Sequence, residues 1–378
     1  MKPKYELSDI LNLYGSKFIQ RENLPKYKVS VLNSIKLCRT SYFGAHVDKC
    51  ESCGHIRISY NSCGNRHCPK CQGLKKEQWI MAREEDLLPV KYFHVVFTVP
   101  HELNDIFLNN QRKMYNLFFR TAWSVIKSFS EDKKYLGAKT GMTSILHTNG
   151  QNLSFHPHLH CIVPGGGLDE KGNWKNTRTK GSFLFPVKAM SKVYRARFVA
   201  GLREFASEEN IILPKKLTDK LFDKEWVVYA KRPFKNVNSV IEYLGRYTHR
   251  VAISNHRIID IKNGRIKFRV KNYKNEGKKE ICDLSANEFL RRFCMHILPK
   301  KLLKIRHYGF LSCRNKRKAL AQARKSLNVE APVKKDKDCK TILKQKYNID
   351  FDICPKCKKG EMRTIKKLER GEKYYSLE

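Results

Sequence analysis

The chain has 378 residues, enough for two or three domains with sizeable cores, and carries 76 lysines and arginines against 36 acids, a formal net charge of +40. Such one-sided charge stores self-repulsion unless a polyanion relieves it, and nucleic acid does so most strongly because neutralised phosphates release condensed counterions. No apolar run of about 18 residues, lipidation signal or secretory apolar core is present, which argues against a membrane partner and leads us to expect a cytoplasmic, nucleoid-associated protein.

Residues 1–40 read as a mixed helical lead, with Leu7, Ile10, Leu11 and Tyr14 at helical spacing. Residues 41–88 read as a cysteine module. The chain has 13 cysteines, an odd number clustered in close pairs, which favours metal binding in a reducing compartment over disulfides. Cys50-Glu-Ser-Cys53 and Cys68-Pro-Lys-Cys71 are two knuckles flanking the alternating, strand-like segment Ile56–Tyr60. Four thiolates close a tetrahedral sphere, so Cys50, Cys53, Cys68 and Cys71 are expected to hold one structural Zn2+. Cys63 and His67 lie between the knuckles and are the alternatives: either replaces a member of the four or helps build a second site with His46 or His55.

Beyond a predicted helix from Leu74 to Leu88, the segment from Tyr92 to Val99 is β-branched, aromatic and bounded by Pro100, as a buried strand is. A helix is predicted from Asp105 to Ser130, with Phe107, Met114, Leu117, Phe118 and Val125 along one stripe. Strands follow near 142–147 and 155–163, then a glycine break at Gly165–Gly167, a helix near 191–207 and a strand near 226–230. A helix opened by Asn236 and running from Val237 to about Arg246 comes next. This order fits an α+β fold over residues 90–310, an antiparallel central sheet with helices packed on one side, followed by a basic tail at 311–378.

Two constellations carry chemistry. In His156-Pro-His158-Leu-His160 the strand period places His158 and His160 on one face, and imidazole is a common metal ligand. His156 has the same parity and is the candidate third ligand or a group behind the ligands, although Pro157 can twist it out of line; Glu242 is a poorer candidate. His94, His101, His147, His249 and His256 read individually as packing or surface residues. Tyr243 and Tyr247 lie four apart on a helix, about 6 Å of rise, at the edge of a stripe formed by Val237, Ile241 and Leu244. Gly245 is costly in a helix unless something approaches it closely, and a nucleic-acid backbone is one such neighbour.

Arg265, Lys267, Arg269 and Lys271 alternate with Ile266, Phe268 and Val270, so one strand face is expected to be cationic and the other buried. Arg246 and Arg250, beside the second tyrosine, are further candidates for DNA contact. Cys354-Pro-Lys-Cys357 looks like half of a second ribbon whose other half is not evident; Cys313 and Cys339 are possible partners, and the tail from about Ala331 is expected to be loosely ordered.

Four blocks in this order, from Cys50 to Gln72, Tyr92 to Leu103, His156 to Leu168 and Tyr243 to Ser254, resemble the two-tyrosine HUH transposases (histidine, bulky hydrophobic, histidine). The closest group is the rolling-circle insertion-sequence transposases with an N-terminal cysteine-rich zinc module. The resemblance implies that His158 and His160 hold Mg2+ or Mn2+ against a phosphate of single-stranded DNA at element ends or target. It also implies that Tyr243 or Tyr247 attacks that phosphate to give a 5′-phosphotyrosine. Two other classes compete. A zinc-dependent DNA-binding protein without catalysis makes both tyrosines dispensable, and a metallohydrolase wants an acidic ligand close behind the histidines, where Cys161, Ile162 and Val163 stand instead.

Overall fold

A computed structural model describes residues 3–374 apart from 179–183, 231–232, 235, 248–249, 273–275 and 334–337. Its centre is a five-stranded antiparallel sheet whose strands run, in spatial order, Ile305–Gly309, Gly141–Asn149, Phe155–Pro164, Tyr92–Thr98 and Val228–Ala230. Alternation divides the sheet into two faces. Phe93, Val95, Phe97, Leu146, Leu159, Cys161 and Val163 point into the main core, which is closed by helices Asn104–Asn109, Gln111–Glu131 and Val187–Glu208. The single helix expected from Asp105 to Ser130 is therefore two, broken at Asn110.

The opposite face carries Ile145, Ile162, His94, His158 and His160, and over it lie the helix Val237–Tyr247 and, packed on that, the helix Gln72–Glu84. The larger helices thus cover one side of the sheet, and a smaller layer sits above the histidines. Asn236 caps the Val237–Tyr247 helix as expected: its Oδ1 accepts from the Ser239 backbone N–H at 2.9 Å and the Ser239 hydroxyl at 3.0 Å. Among the described side chains of that helix Val240 and Tyr243 are buried, so Tyr243 belongs to the packed face and not to its edge. Gly245 is explained by protein packing: a Cβ there would lie 2.8 Å from Cδ1 of Ile80. The neighbour that needs the missing side chain is the Gln72–Glu84 helix, and not the nucleic-acid backbone offered as one candidate.

The leading helices Leu7–Arg21 and Lys26–Lys36 bury Leu7, Ile10, Leu11, Phe18 and Ile35 in a second core with Ile266, Phe268, Phe289 and Phe293. That core is built on the sheet Ile258–Lys262, Arg265–Asn272 and Lys278–Ser285 and the helix Ala286–Met295. The third sheet joins the two ends of the chain: strand Ala45–Cys50 pairs with Ile56–Tyr60 on one side and with Met362–Leu368 on the other. The segment expected to be loosely ordered therefore ends in a paired strand.

Candidate active site and metal centres

Strand register assembles the histidines. His158 and His160 share a face, and the adjacent strand sets His147 directly opposite His158 and Ile145 opposite His160. One nitrogen from each of His147, His158 and His160 lies within 4.8 Å of the others. His147, read from the sequence as a packing residue, takes the place expected for His156, whose side chain is exposed and outside this group. His156 acts through its backbone instead: its carbonyl receives Nδ1–H of His158 at 2.8 Å, which leaves Nε2 as the basic nitrogen of His158. Glu242 is exposed and not part of the group.

Burial disfavours the charged imidazolium, pushing His158 down to about 4. His160 is held further down by burial and then by the neighbouring His158 and His94. All this keeps nitrogen lone pairs available at neutral pH, as metal ligation requires. The hydroxyl of Tyr243 meets this face from above, 2.6 Å from Nε2 of His94 and 2.9 Å from Nδ1 of His160, with the two imidazole nitrogens 3.0 Å apart. His94 was missed because nothing local distinguishes a buried strand histidine from a packing residue. Its role comes from the Tyr92–Thr98 strand lying beside the histidine strand. Tyr247 ends the same helix, and its side chain, like that of Arg246, lies outside the described residues.

Close by, Arg66, Arg250 and Lys304 line a crevice with His147. Lys304 donates to the Arg250 carbonyl at 2.7 Å, and burial together with the adjacent Arg66 and Arg250 pushes its ammonium down to about 7. The other basic candidates lie on the second core's sheet. Arg265, Lys267, Arg269 and Lys271 are exposed, while Ile266 and Phe268 are fully buried. That cationic face is diluted, since Arg265 pairs with Asp283 at 2.9 Å and Asp283 and Asp260 flank Lys267 across the ladder.

The cysteines regroup most. The four sulfurs expected at one ion divide between two clusters. Cys68 and Cys71 converge with Cys63 and Cys38, and Cys50 and Cys53 converge with Cys354 and Cys357. In the first, Cys71 Sγ lies 3.5 Å from Cys38 Sγ and 3.6 Å from Cys63 Sγ. Tetrahedral zinc with bonds of about 2.3 Å spaces its sulfurs about 3.8 Å apart, so the donor set fits that ion. The backbone N–H of Cys63 also points at Cys38 Sγ, at 3.4 Å. His67 is not a member; its Nε2 accepts from the Leu298 backbone N–H at 3.3 Å. The half ribbon at Cys354 does have its partner in the chain. Cys313 is exposed and outside both clusters, and the side chain of Cys339 lies outside the described residues.

Residues 141–319 match a family described as "Putative transposase", and residues 10–99 match one described as "Transposase zinc-binding domain". The chain is 39% identical to "Putative transposase y4qJ" of Sinorhizobium fredii, an alignment covering 95% of this chain and 94% of that one. It is 27% identical to "Transposase for insertion sequence element IS801" of Pseudomonas savastanoi pv. phaseolicola, covering 88% and 83%. No solved structure matches it. The chain belongs to the IS91-type family of insertion-sequence transposases with an N-terminal zinc-binding module. Among the described residues, no helix is long and apolar enough to cross a membrane.

Proposed function

We propose that this transposase cleaves and rejoins single-stranded DNA through a 5′-phosphotyrosine. The observation that carries the reading is the Tyr243 hydroxyl 2.9 Å from His160 Nδ1, an imidazole grouped with His147 and His158. Neutral imidazoles with convergent nitrogens fit a divalent ion that keeps open positions for water and phosphate, and the family resemblance makes Mg2+ or Mn2+ the working ion. Such an ion would supply Lewis-acid neutralisation of charge on the scissile phosphate.

One set of tautomers suits both tasks of His160. With its Nδ1–H donated to the Tyr243 oxygen, its basic nitrogen faces away toward the other imidazoles, and the Tyr243 O–H then donates to Nε2 of His94 at 2.6 Å. His94 is thereby placed to take the phenolic proton as the tyrosine oxygen bonds to phosphorus. The bond from phosphorus to the 3′-oxygen breaks, and that oxygen leaves as a hydroxyl after taking up a proton. The link energy stays in the phosphotyrosine, so rejoining is the reverse step and consumes no nucleotide. Tyr247, one helical turn on, takes the second strand end. Arg250 and Lys304 bring positive charge to the approaching strand, and the sheet bearing Lys267, Arg269 and Lys271 extends the contact. Cys38, Cys63, Cys68 and Cys71 hold the zinc of the N-terminal module.

A 3′-labelled single-stranded oligonucleotide carrying an element end tests this on a denaturing gel. Wild type is expected to give a divalent-dependent covalent adduct that is lost when Tyr243→Phe and Tyr247→Phe are combined, while DNA binding persists. An adduct surviving in the double variant, or wild-type cleavage with no adduct at any time, would overturn the proposal.

A further inference from the structure

The second cysteine cluster lies apart from the histidine site, and Cys354 and Cys357 fall outside both segments that match known families. It is assembled by the pairing of the chain's two ends. Strand Ala45–Cys50 runs antiparallel to Met362–Leu368, with Ala45 opposite Leu368 and Cys50 opposite Met362. This brings a knuckle just after the first strand against a knuckle just before the second, across about three hundred residues of chain.

The geometry is that of a ligand set. Cys50 Sγ lies 3.7 Å from Cys357 Sγ, Cys53 Sγ lies 3.7 Å from Cys354 Sγ, and all four sulfurs fall within 4.8 Å of one another. Zinc bonds of about 2.3 Å in a tetrahedron require sulfur separations of about 3.8 Å. Backbone groups shape the site as well. Gly360 N–H points at Cys357 Sγ from 3.3 Å, and its carbonyl receives Cys354 N–H at 2.8 Å. A Cβ on Gly360 would lie 2.5 Å from Cys50 Sγ and 2.6 Å from Ser52 Oγ, so only glycine permits the two knuckles to close. The apolar packing is slight: Cys50, Cys354 and Met362 with Cys357 beside them at the knuckles, and Ala45, Val47 and Leu368 further along the same two strands. So small a core does not hold a module together without a further staple. Lys356, Lys358 and Lys359 lie in or beside the second knuckle and offset the negative charge of a tetrathiolate site.

We infer that Cys50, Cys53, Cys354 and Cys357 form a second structural zinc site that clamps the C-terminal tail onto the N-terminal module. The clamp reaches the active helix through one intermediate. The tail helix Cys339–Tyr347 packs on the Gln72–Glu84 helix, with the Tyr347 hydroxyl 3.2 Å from Glu77 Oε1, and that helix meets the tyrosine helix at Gly245. The ion thus holds the tail against the support of Tyr243.

The test uses the full chain reconstituted with Co2+, because thiolate-to-cobalt charge-transfer absorption counts thiolate sites and ignores the histidine site. Titration is expected to saturate at two thiolate-bound ions per chain, and at one when Cys354→Ser and Cys357→Ser are combined. In that variant hydrogen exchange should lose its protection in 45–50 and 362–368. Saturation at one ion in the wild type, or at two in the variant, would overturn the inference. Should the variant not fold, timed alkylation of the zinc-loaded wild type decides. Cys50, Cys53, Cys354 and Cys357 should be protected and become labelled together on chelation, whereas immediate labelling of Cys354 and Cys357 alongside exposed Cys313 would sink the site. A chain that forms no DNA adduct yet binds two thiolate-held ions would remove the catalytic reading and leave this one standing.

Discussion

At the scale of single residues, the histidines separate what a side chain contributes from what its backbone contributes. His147 offers a ring nitrogen to the group formed with His158 and His160, whereas His156 offers a carbonyl that fixes the tautomer of His158. His147→Ala should therefore weaken Mn2+ binding by at least the roughly 10–100-fold that follows loss of even an outer partner of a metal ligand. His156→Ala keeps its carbonyl and should bind Mn2+ nearly as the wild type does. Isothermal titration of both variants checks the pair, and equal losses would show that His156 ligates through its ring after all. Tyr243 belongs to the same scale. Its hydroxyl is buried on two imidazoles, so its placement depends on rings from two neighbouring strands.

At the scale of elements, the tyrosine helix is positioned by its cap and by its neighbour. Asn236 satisfies a backbone N–H that would otherwise be unpaired in the first turn, and Asn236→Ala should cost about 1 kcal/mol of local helix stability. The expected result is a lower rate of adduct formation with unchanged DNA affinity, measured alongside hydrogen exchange across 237–247; an unchanged rate with raised exchange would mean that the helix need not be rigid. This cap, the helix and the shared face of His158 and His160 were all legible in the sequence, because each rests on spacing within about one turn or one strand. The knuckles were legible for the same reason, but their partners were not. Which knuckle meets which depends on the pairing of Ala45–Cys50 with Met362–Leu368, and no local pattern encodes a contact across so much chain. His147 and His94 were hidden likewise, since only the register between strands puts them beside His158 and Tyr243. Gly245 announced a close neighbour correctly and left its identity open; the space is filled by Ile80.

At the scale of the whole molecule, neutral buried histidines tie the layers to one another and set how the fold responds to acid. His296 receives the Thr148 hydroxyl at Nδ1 and donates Nε2–H to the Leu153 carbonyl, joining the Ala286–Met295 helix to the central sheet. His67 accepts the Leu298 N–H, which joins the cysteine module to the same region. His307 bridges Thr143 and Arg83. Burial pushes His296 and His307 down to about 4 and His67 to about 3, against an ordinary value near 6.5. Between pH 6.5 and about 4 the unfolded chain therefore binds more protons than the folded one, so stability is fully present above pH 6.5 and falls as the pH is lowered through that window. These three groups alone contribute up to about 4 kcal/mol per pH unit, and the depressed His158 and His160 add to it, on top of any acid release of zinc. His296→Gln isolates one of them, since glutamine does not titrate: urea unfolding measured across the window should give a slope shallower by about 1.4 kcal/mol per pH unit. An identical slope would mean that His296 is already charged in the fold, with Nδ1–H donating to the Thr148 hydroxyl.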